Sequence, residues 1–105
     1  MVKSMSNIMF YKLFNKYYFS FDGTKYEGNT ENMMFLRDNL SLPFSVNFYN
    51  CSKEIINRVI KFLSTEDMAI SVVSSNGNNE ITFLFSKSHF QEKLLKNRIG
   101  SVNNG

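Results

Sequence analysis

The chain has 105 residues, of which 43% are apolar and 20% are charged, and its formal net charge is +3. This composition predicts one globular domain over residues 1–105 and excludes an intrinsically disordered chain. No unbroken apolar run is longer than four residues, which excludes a membrane-spanning helix, and the single cysteine excludes an internal disulfide. We therefore expect a cytoplasmic protein with no membrane partner.

The N-terminal part of the chain is predicted to form β-strands. Residues 1–7 are polar and are expected to be disordered, whereas residues 8–21 are rich in aromatic and other β-favouring side chains. This second stretch forms either one long strand or two strands with a bend at Asn15-Lys16. Its odd positions are predicted to make one apolar face: Met9, Tyr11, Leu13, Tyr17, Phe19 and Phe21.

A tight turn and a first helix follow. Asp22-Gly23 is a strong hairpin signal, and residues 24–27 are predicted to be the returning strand. Thr30 is the predicted N-cap of a helix that continues to Leu40, because threonine at the start of a helix accepts a hydrogen bond from an otherwise unpaired backbone N–H group.

A strand–helix–strand unit is predicted over residues 43–73. Its elements are expected at 44–49, 53–63 and 68–73. Asn50 or Ser52 caps the helix, and Val59 and Ile70 are expected to lie in the core. Two strands joined through a covering helix usually run parallel in one sheet, with a right-handed crossover between them.

The remaining residues predict a hairpin and a last helix. The polar residues 74–79 are typical of a turn between antiparallel strands, and residues 80–86 alternate as a strand does. Ser88 begins a capping-box pattern, so a helix is predicted to run to about Arg98, followed by a disordered tail over 100–105.

These elements predict the fold class. Their order is β(β)-α-β-α-β-β-α, in which the N-terminal arm counts as one or two strands. We therefore predict an α/β (α+β) fold, a compact single-domain two-layer sandwich in which helices pack on a mixed sheet of four to five strands.

The basic residues lie mainly at the two ends of the chain. Residues 1–16 hold three lysines and no acid, residues 17–86 hold five basic and eight acidic side chains, and residues 87–98 hold four basic side chains and one acid. The N-terminal lysines alternate with tyrosines, a combination that binds single-stranded nucleic acid by stacking and phosphate contact. The other interpretations are an exposed aromatic surface for a protein partner and a strand buried on both faces. The candidate binding residues are Tyr11, Lys12, Lys16, Tyr18, Lys25, Lys87, Lys93, Lys96 and Arg98.

Cys51 is the one candidate for catalysis. It precedes a predicted helix, where backbone N–H groups and the helix dipole can lower a thiol pKa. A phosphate-binding loop of the tyrosine-phosphatase kind needs an arginine six positions later, but Asn57 stands there and Arg58 follows it. An enzyme would need Arg58 or His89 within hydrogen-bond reach of the sulfur. We expect a structural thiol and no catalytic residue, metal or cofactor, because no spaced set of ligands accompanies Cys51.

The absence of a catalytic motif favours a small non-enzymatic binding or inhibitor protein that occupies a surface on a protein partner. The excess of Phe, Tyr, Ile, Asn and Lys is typical of an AT-rich genome. Phages and mobile elements of low-GC hosts encode many compact inhibitors, so we expect a viral or mobile source. The alternative is a small RNA- or DNA-binding module that uses the basic ends and the N-terminal aromatics. A homodimer is compatible with both functions.

Overall fold

The computed structural model describes residues 5–77 and 79–88, which form six β-strands and two α-helices. In chain order the elements are β1 Ser6–Leu13, β2 Lys16–Phe21, β3 Thr24–Glu27, α1 Thr30–Asn39, β4 Phe44–Tyr49, α2 Lys53–Leu63, β5 Met68–Asn76 and β6 Glu80–Lys87. The combination of helices with one mixed sheet is confirmed. The last predicted helix, to about Arg98, and the predicted tail over 100–105 lie outside the described residues.

The sheet has six strands, not the predicted four to five, because the N-terminal arm is folded into three. Leu13 pairs with Lys16, which leaves Phe14-Asn15 as a two-residue turn between β1 and β2. Asp22-Gly23 makes the next turn with φ angles of 52° and 78°, as a type I′ hairpin requires, so this predicted turn is confirmed.

The predicted single apolar face over the odd positions of 8–21 is wrong. In the β1–β2 pair, Phe10 lies opposite Phe19 and both side chains are buried, so an even position of β1 shares a face with an odd position of β2. The two-residue turn causes this exchange, because it aligns each even-numbered residue of β1 with an odd-numbered residue of β2, and each odd-numbered residue with an even-numbered one. Met9, Tyr11 and Leu13 therefore lie on the opposite face from Phe19.

The strand order across the sheet is β3-β2-β1-β4-β6-β5. Only β1 and β4 pair in parallel, and every other neighbouring pair is antiparallel. It follows that β3, β4 and β5 all run in one direction, with β6 between β4 and β5. α1 connects β3 to β4 and α2 connects β4 to β5, so both crossovers proceed the same way across the sheet. Right-handed connections then place both helices on the same face.

The core lies between that face of the sheet and the two helices. It is rich in phenylalanine, and its buried members are Ile8, Phe10, Phe19, Met33, Leu36, Phe44, Val46, Phe48, Val59, Leu63 and Phe85. The predicted burial of Val59 is confirmed. Ile70 is 36% exposed, which contradicts its predicted place in the core, because β5 is an edge strand of the described sheet.

Side chains cap both helices. The Ser52 hydroxyl accepts a hydrogen bond from the backbone N–H of Ile55 at 3.2 Å, so Ser52, one of the two predicted candidates, caps α2. The predicted cap of α1 is one residue too late. Asn29, not Thr30, accepts from the backbone N–H of Asn32 at 2.8 Å, and Thr30 is already the first helical residue.

Candidate functional site

The face of the sheet that is turned away from α1 and α2, called the outer face below, carries a group of large side chains. Tyr11 in β1 is aligned with Tyr18 in β2 and with Tyr49 in β4. Successive side chains of a strand point to opposite faces, so these tyrosines lie opposite the buried phenylalanines of the core. Met9 and Leu13 lie on the same side of β1. The sheet thus presents one aromatic and aliphatic group on three adjacent strands.

Two tyrosines of this group, Tyr11 and Tyr18, hold each other in place. The Tyr11 and Tyr18 rings stack with their centroids 6.0 Å apart and their planes 25° apart. The ammonium group of Lys25, which lies on the neighbouring strand β3, is 4.5 Å from the centroid of the Tyr18 ring. Rings packed in this way lose little conformational entropy when a partner covers them.

Phe14 directly follows Leu13 of this group, at the end of the sheet. It is 88% exposed and occupies the first position of the β1–β2 turn with a φ of 56°. An aromatic residue in the left-handed region is a conformational outlier, since glycine and asparagine adopt that region at much lower cost. We use the name Phe14 surface for the set formed by Met9, Tyr11, Leu13, Phe14, Tyr18 and Tyr49. Three of its members besides Phe14 are at least 40% exposed: Met9, Leu13 and Tyr49.

The edge of the Phe14 surface carries one ion pair. The Lys16 ammonium lies 3.1 Å from the Glu27 carboxylate, and both side chains are substantially exposed. Their hydrogen bond raises the pKa of Lys16 and lowers the pKa of Glu27. An exposed pair of this kind contributes little to stability, but it neutralises a cation that a phosphate would otherwise contact.

The structure does not bring all the predicted cations together. Tyr11, Lys16, Tyr18 and Lys25 share the outer face, whereas the pairing register places Lys12 and Lys87 on the helix side of the sheet. Lys12 lies 5.9 Å from the ring of Tyr17, which lines a helix-side cleft, and Lys87 lines a second hollow with Arg37 and Met68. The remaining candidates, Lys93, Lys96 and Arg98, lie outside the described residues.

The neighbouring part of the outer face, in β4 and β6, is mostly polar, with Leu84 as the apolar exception. Asn47 in β4 donates to the Thr82 hydroxyl at 2.7 Å and to the Glu80 carboxylate at 3.1 Å, both in β6. Ser45 donates to the Asn7 side-chain carbonyl and is buried. These hydrogen bonds fix β4 against its two neighbours, so the Phe14 surface stands on a rigid platform.

Cys51 is half-buried between β4 and α2. Its sulfur lies 3.6 Å from the carbonyl oxygen of Phe10 and 3.5 Å from that of Tyr49, so the thiol faces two acceptors. Burial raises the pKa of the Cys51 thiol above its ordinary value. Arg58, one of the two possible activating groups, hydrogen-bonds instead to Glu54 at 3.1 Å, and His89 is outside the described residues.

We expect Cys51 to react with iodoacetamide more slowly than free cysteine at neutral pH, and its rate to level off at a higher pH. The reason is that only the thiolate attacks, and the raised pKa of Cys51 keeps the thiol protonated. The raised pKa also predicts how stability depends on pH. The contribution of the neutral Cys51 thiol to the free energy of unfolding is complete at neutral pH and is lost as the pH rises through the folded-state pKa. Alkylation followed by mass spectrometry across a pH series measures this, and a rate above that of free cysteine would revive the enzyme hypothesis.

The helix side of the sheet holds a cleft of about 330 Å³ between α1, α2 and the first two strands. Its lining is mostly apolar and includes Phe10, Met33, Val59 and Phe62, with Arg58 also present. Tyr17 and Thr30 contribute hydroxyl groups to the lining, and residues 5–77 and 79–88 contain no cluster of three or more His, Cys, Asp or Glu that could hold a metal. The cleft is therefore suited mainly to apolar contact.

Sequence patterns missed part of the Phe14 surface. Phe14 itself, Met9, Leu13 and Tyr49 were not among the candidate residues, because exposure of an apolar residue depends on strand pairing. The one available signal was the bend at Asn15, which places a bulky aromatic beside a turn.

Among the described residues no helix has the length and apolar character needed to span a membrane.

Comparison with known proteins assigns this chain to no family. No protein-family model matches the chain, and no curated protein or solved structure is significantly similar to it.

Proposed function

We propose that this chain is a small non-enzymatic binding protein that acts by occupying a surface on a protein partner through its Phe14 surface. The observation that carries the proposal is Phe14, whose ring is 88% exposed while its backbone holds a φ of 56°. Neither feature favours the folded state, because the ring buries little area and the left-handed conformation costs roughly 1–2 kcal/mol. Such outliers concentrate at sites of contact and function.

The neighbours of Phe14 support the same role. Protein interfaces are enriched in tyrosine, phenylalanine and methionine, and their rims carry charged side chains. Tyr11 and Tyr18 are already stacked, while Met9 and Leu13 are each more than 40% exposed. The Lys16–Glu27 ion pair supplies a polar rim at one edge. A rigid apolar centre with a charged margin matches the anatomy of a binding surface.

The mode of action that we propose is inhibition by occlusion, in the cytoplasm of a low-GC host, by a protein from a phage or mobile element. Its support is the small size of the chain, its AT-rich residue usage and the raised pKa of its one thiol. A chain that blocks a partner's surface needs no reactive group, and burial raises the pKa of the one thiol in this chain.

A second candidate is binding of single-stranded RNA or DNA, favoured by one observation. Lys25 lies over the Tyr18 ring, and Tyr18 stacks on Tyr11, which places a cation beside two stacked aromatic rings. Two facts weaken this candidate. Lys16 is paired with Glu27, and Lys12 and Lys87 lie on the other side of the sheet. A strong electrostatic footprint would need those cations on one face.

An affinity pull-down tests the proposal. The tagged protein, its Phe14→Gly variant and a Met34→Ala control are each incubated with lysate of a low-GC bacterium, with and without nuclease, and captured proteins are identified by mass spectrometry. Met34 is 45% exposed but belongs to α1, on the opposite side of the sheet. We expect one stoichiometric protein that survives nuclease, is retained by Met34→Ala and is lost by Phe14→Gly. Capture that disappears with nuclease, together with recovered RNA or DNA, would establish the second candidate instead.

A further inference from the structure

Within residues 5–77 and 79–88, the strand β5 forms an edge of the sheet. It has nine residues, Met68–Asn76, and pairs with β6 on one side only within the described part of the chain. Its sequence contains no charged residue and no proline. Natural proteins usually guard an edge with charges, prolines or very short strands, because its unpaired N–H and C=O groups are a template for another strand.

The side chains of this edge are also apolar and uncovered. Ile70 is aligned with Phe85 and Val72 with Phe83, so both lie on the helix side of the sheet. They are nevertheless 36% and 55% exposed, because neither helix covers them. A β-bulge lies between Val72 and Ser74, which leaves 68–72 as a regular stretch of edge strand.

The opposite edge is built differently. β3 has four residues, Thr24–Glu27, and two of them are the charged Lys25 and Glu27. A short charged strand resists pairing with a foreign strand. The contrast matters because a contact between β3 of one copy and β5 of another would propagate into an open filament, whereas β5 against β5 closes after two copies.

We infer that two copies of this chain associate through antiparallel pairing of their β5 edges, over the regular stretch 68–72. A two-fold contact sets the strand against its own copy, so a charge at the axis would lie opposite its like, and a charge elsewhere on the strand would occur twice in the same contact. β5 meets this requirement because it carries none. With the axis at Ile70, each Ile70 lies opposite its counterpart and each Val72 lies opposite Met68, so every pair on the helix side is apolar.

The dimer would contain one continuous sheet of twelve strands. A two-fold axis perpendicular to the sheet keeps both outer faces on the same side. The two β1 strands are then seven strand spacings apart, or roughly 34 Å. The association does not depend on the function proposed above. If that proposal holds, the dimer presents two Phe14 surfaces in one direction and binds a dimeric or repetitive partner with added avidity.

The test measures the mass of the full chain in solution by sedimentation equilibrium over a wide concentration range. We expect a reversible dimer, and we expect Val72→Lys to raise its dissociation constant by about tenfold or more, since the substitution places a cation in an apolar strand contact. Val72→Thr is the matched control, because threonine keeps the β-branched shape and adds no charge, and it should remain dimeric. A wild-type chain that stays monomeric, or a Val72→Lys variant that dimerises as the wild type does, would overturn the inference.

A second measurement tests the register and does not rely on the charged variant. In a Cys51→Ser background, Ile70→Cys places one thiol on each side of the proposed two-fold axis, where opposite β-carbons lie about 5 Å apart. We expect mild oxidation to link nearly all of this variant into covalent dimers, and to link Met34→Cys, made in the same background, far less. Equal cross-linking of the two variants would refute the β5 contact.

Discussion

Replacing Phe48 by alanine is expected to lower the free energy of unfolding by about 3–5 kcal/mol, the range observed for large buried aromatics. Phe48 is 1% exposed and lies in β4, at the centre of the sheet. Its ring stacks on Phe10 at 5.5 Å and meets Phe83 edge-on at 5.9 Å. Removing it leaves a cavity between the sheet and the helices. For a domain whose total stability is about 5–15 kcal/mol, this loss is large.

The measurement is urea-induced unfolding followed by circular dichroism, with Phe14→Ala as the matched control. The chemical change is the same in both variants, but Phe14 is 88% exposed and Phe48 is 1% exposed. Phe14→Ala should change the free energy of unfolding by no more than about 0.5 kcal/mol. If the two variants lose similar stability, the assignment of Phe48 to the core is wrong.

Replacing Phe14 by glycine is expected to weaken partner binding by about thirtyfold or more, which corresponds to about 2 kcal/mol for an aromatic hot spot. The same variant should be at least as stable as the wild type, with a gain of up to about 1 kcal/mol. The reason is that Phe14 has a φ of 56°, and glycine adopts this conformation without the steric cost of a β-carbon. A residue that favours binding at the expense of stability is the signature expected of a contact site.

Two experiments on the same purified variants separate binding from stability. Titration calorimetry against the captured partner gives the affinity, and thermal unfolding gives the stability. Met34→Ala, which removes an exposed side chain from the helix side, should leave the affinity unchanged. Unchanged affinity of Phe14→Gly would remove the main support for the proposed function, and a large loss of stability would show that Phe14 has a structural role.

The local elements of the fold were predictable because their signals are local. The alternation of Phe44, Val46 and Phe48 predicts a strand, and the spacing of apolar residues over 53–63 predicts α2. Asp22-Gly23 predicts its turn because both residues adopt positive φ at low cost. The Ser52 cap follows from a side-chain oxygen placed three residues before a free N–H group. Each of these signals acts within a few residues.

The candidate site was only partly predictable. Lys16, Tyr18 and Lys25 lie on one face of the sheet, because the Asp22-Gly23 hairpin pairs β2 with β3. Lys12 and Lys87, which the nucleic-acid hypothesis needs on that same face, lie on the opposite one. The face on which a lysine lies depends on whether the odd or the even positions of its strand are buried. Because of the Phe14-Asn15 turn, the buried positions are even in β1 and odd in β2. A shift of one residue in that turn would have moved every side chain of one strand to the other face.

The sequence by itself determined that this chain forms a mixed β-sheet with covering helices, since residue periodicity and turn chemistry specify strands, helices and hairpins. Only the tertiary structure decided which strands lie at the edges and which aromatic side chains are exposed. β6 inserts between β4 and β5, so Ile70 and Val72 lie on an edge, and β1 pairs with β4 across more than 30 residues. These outcomes depend on contacts between residues that are distant in the chain, and neither propensity nor periodicity encodes such contacts.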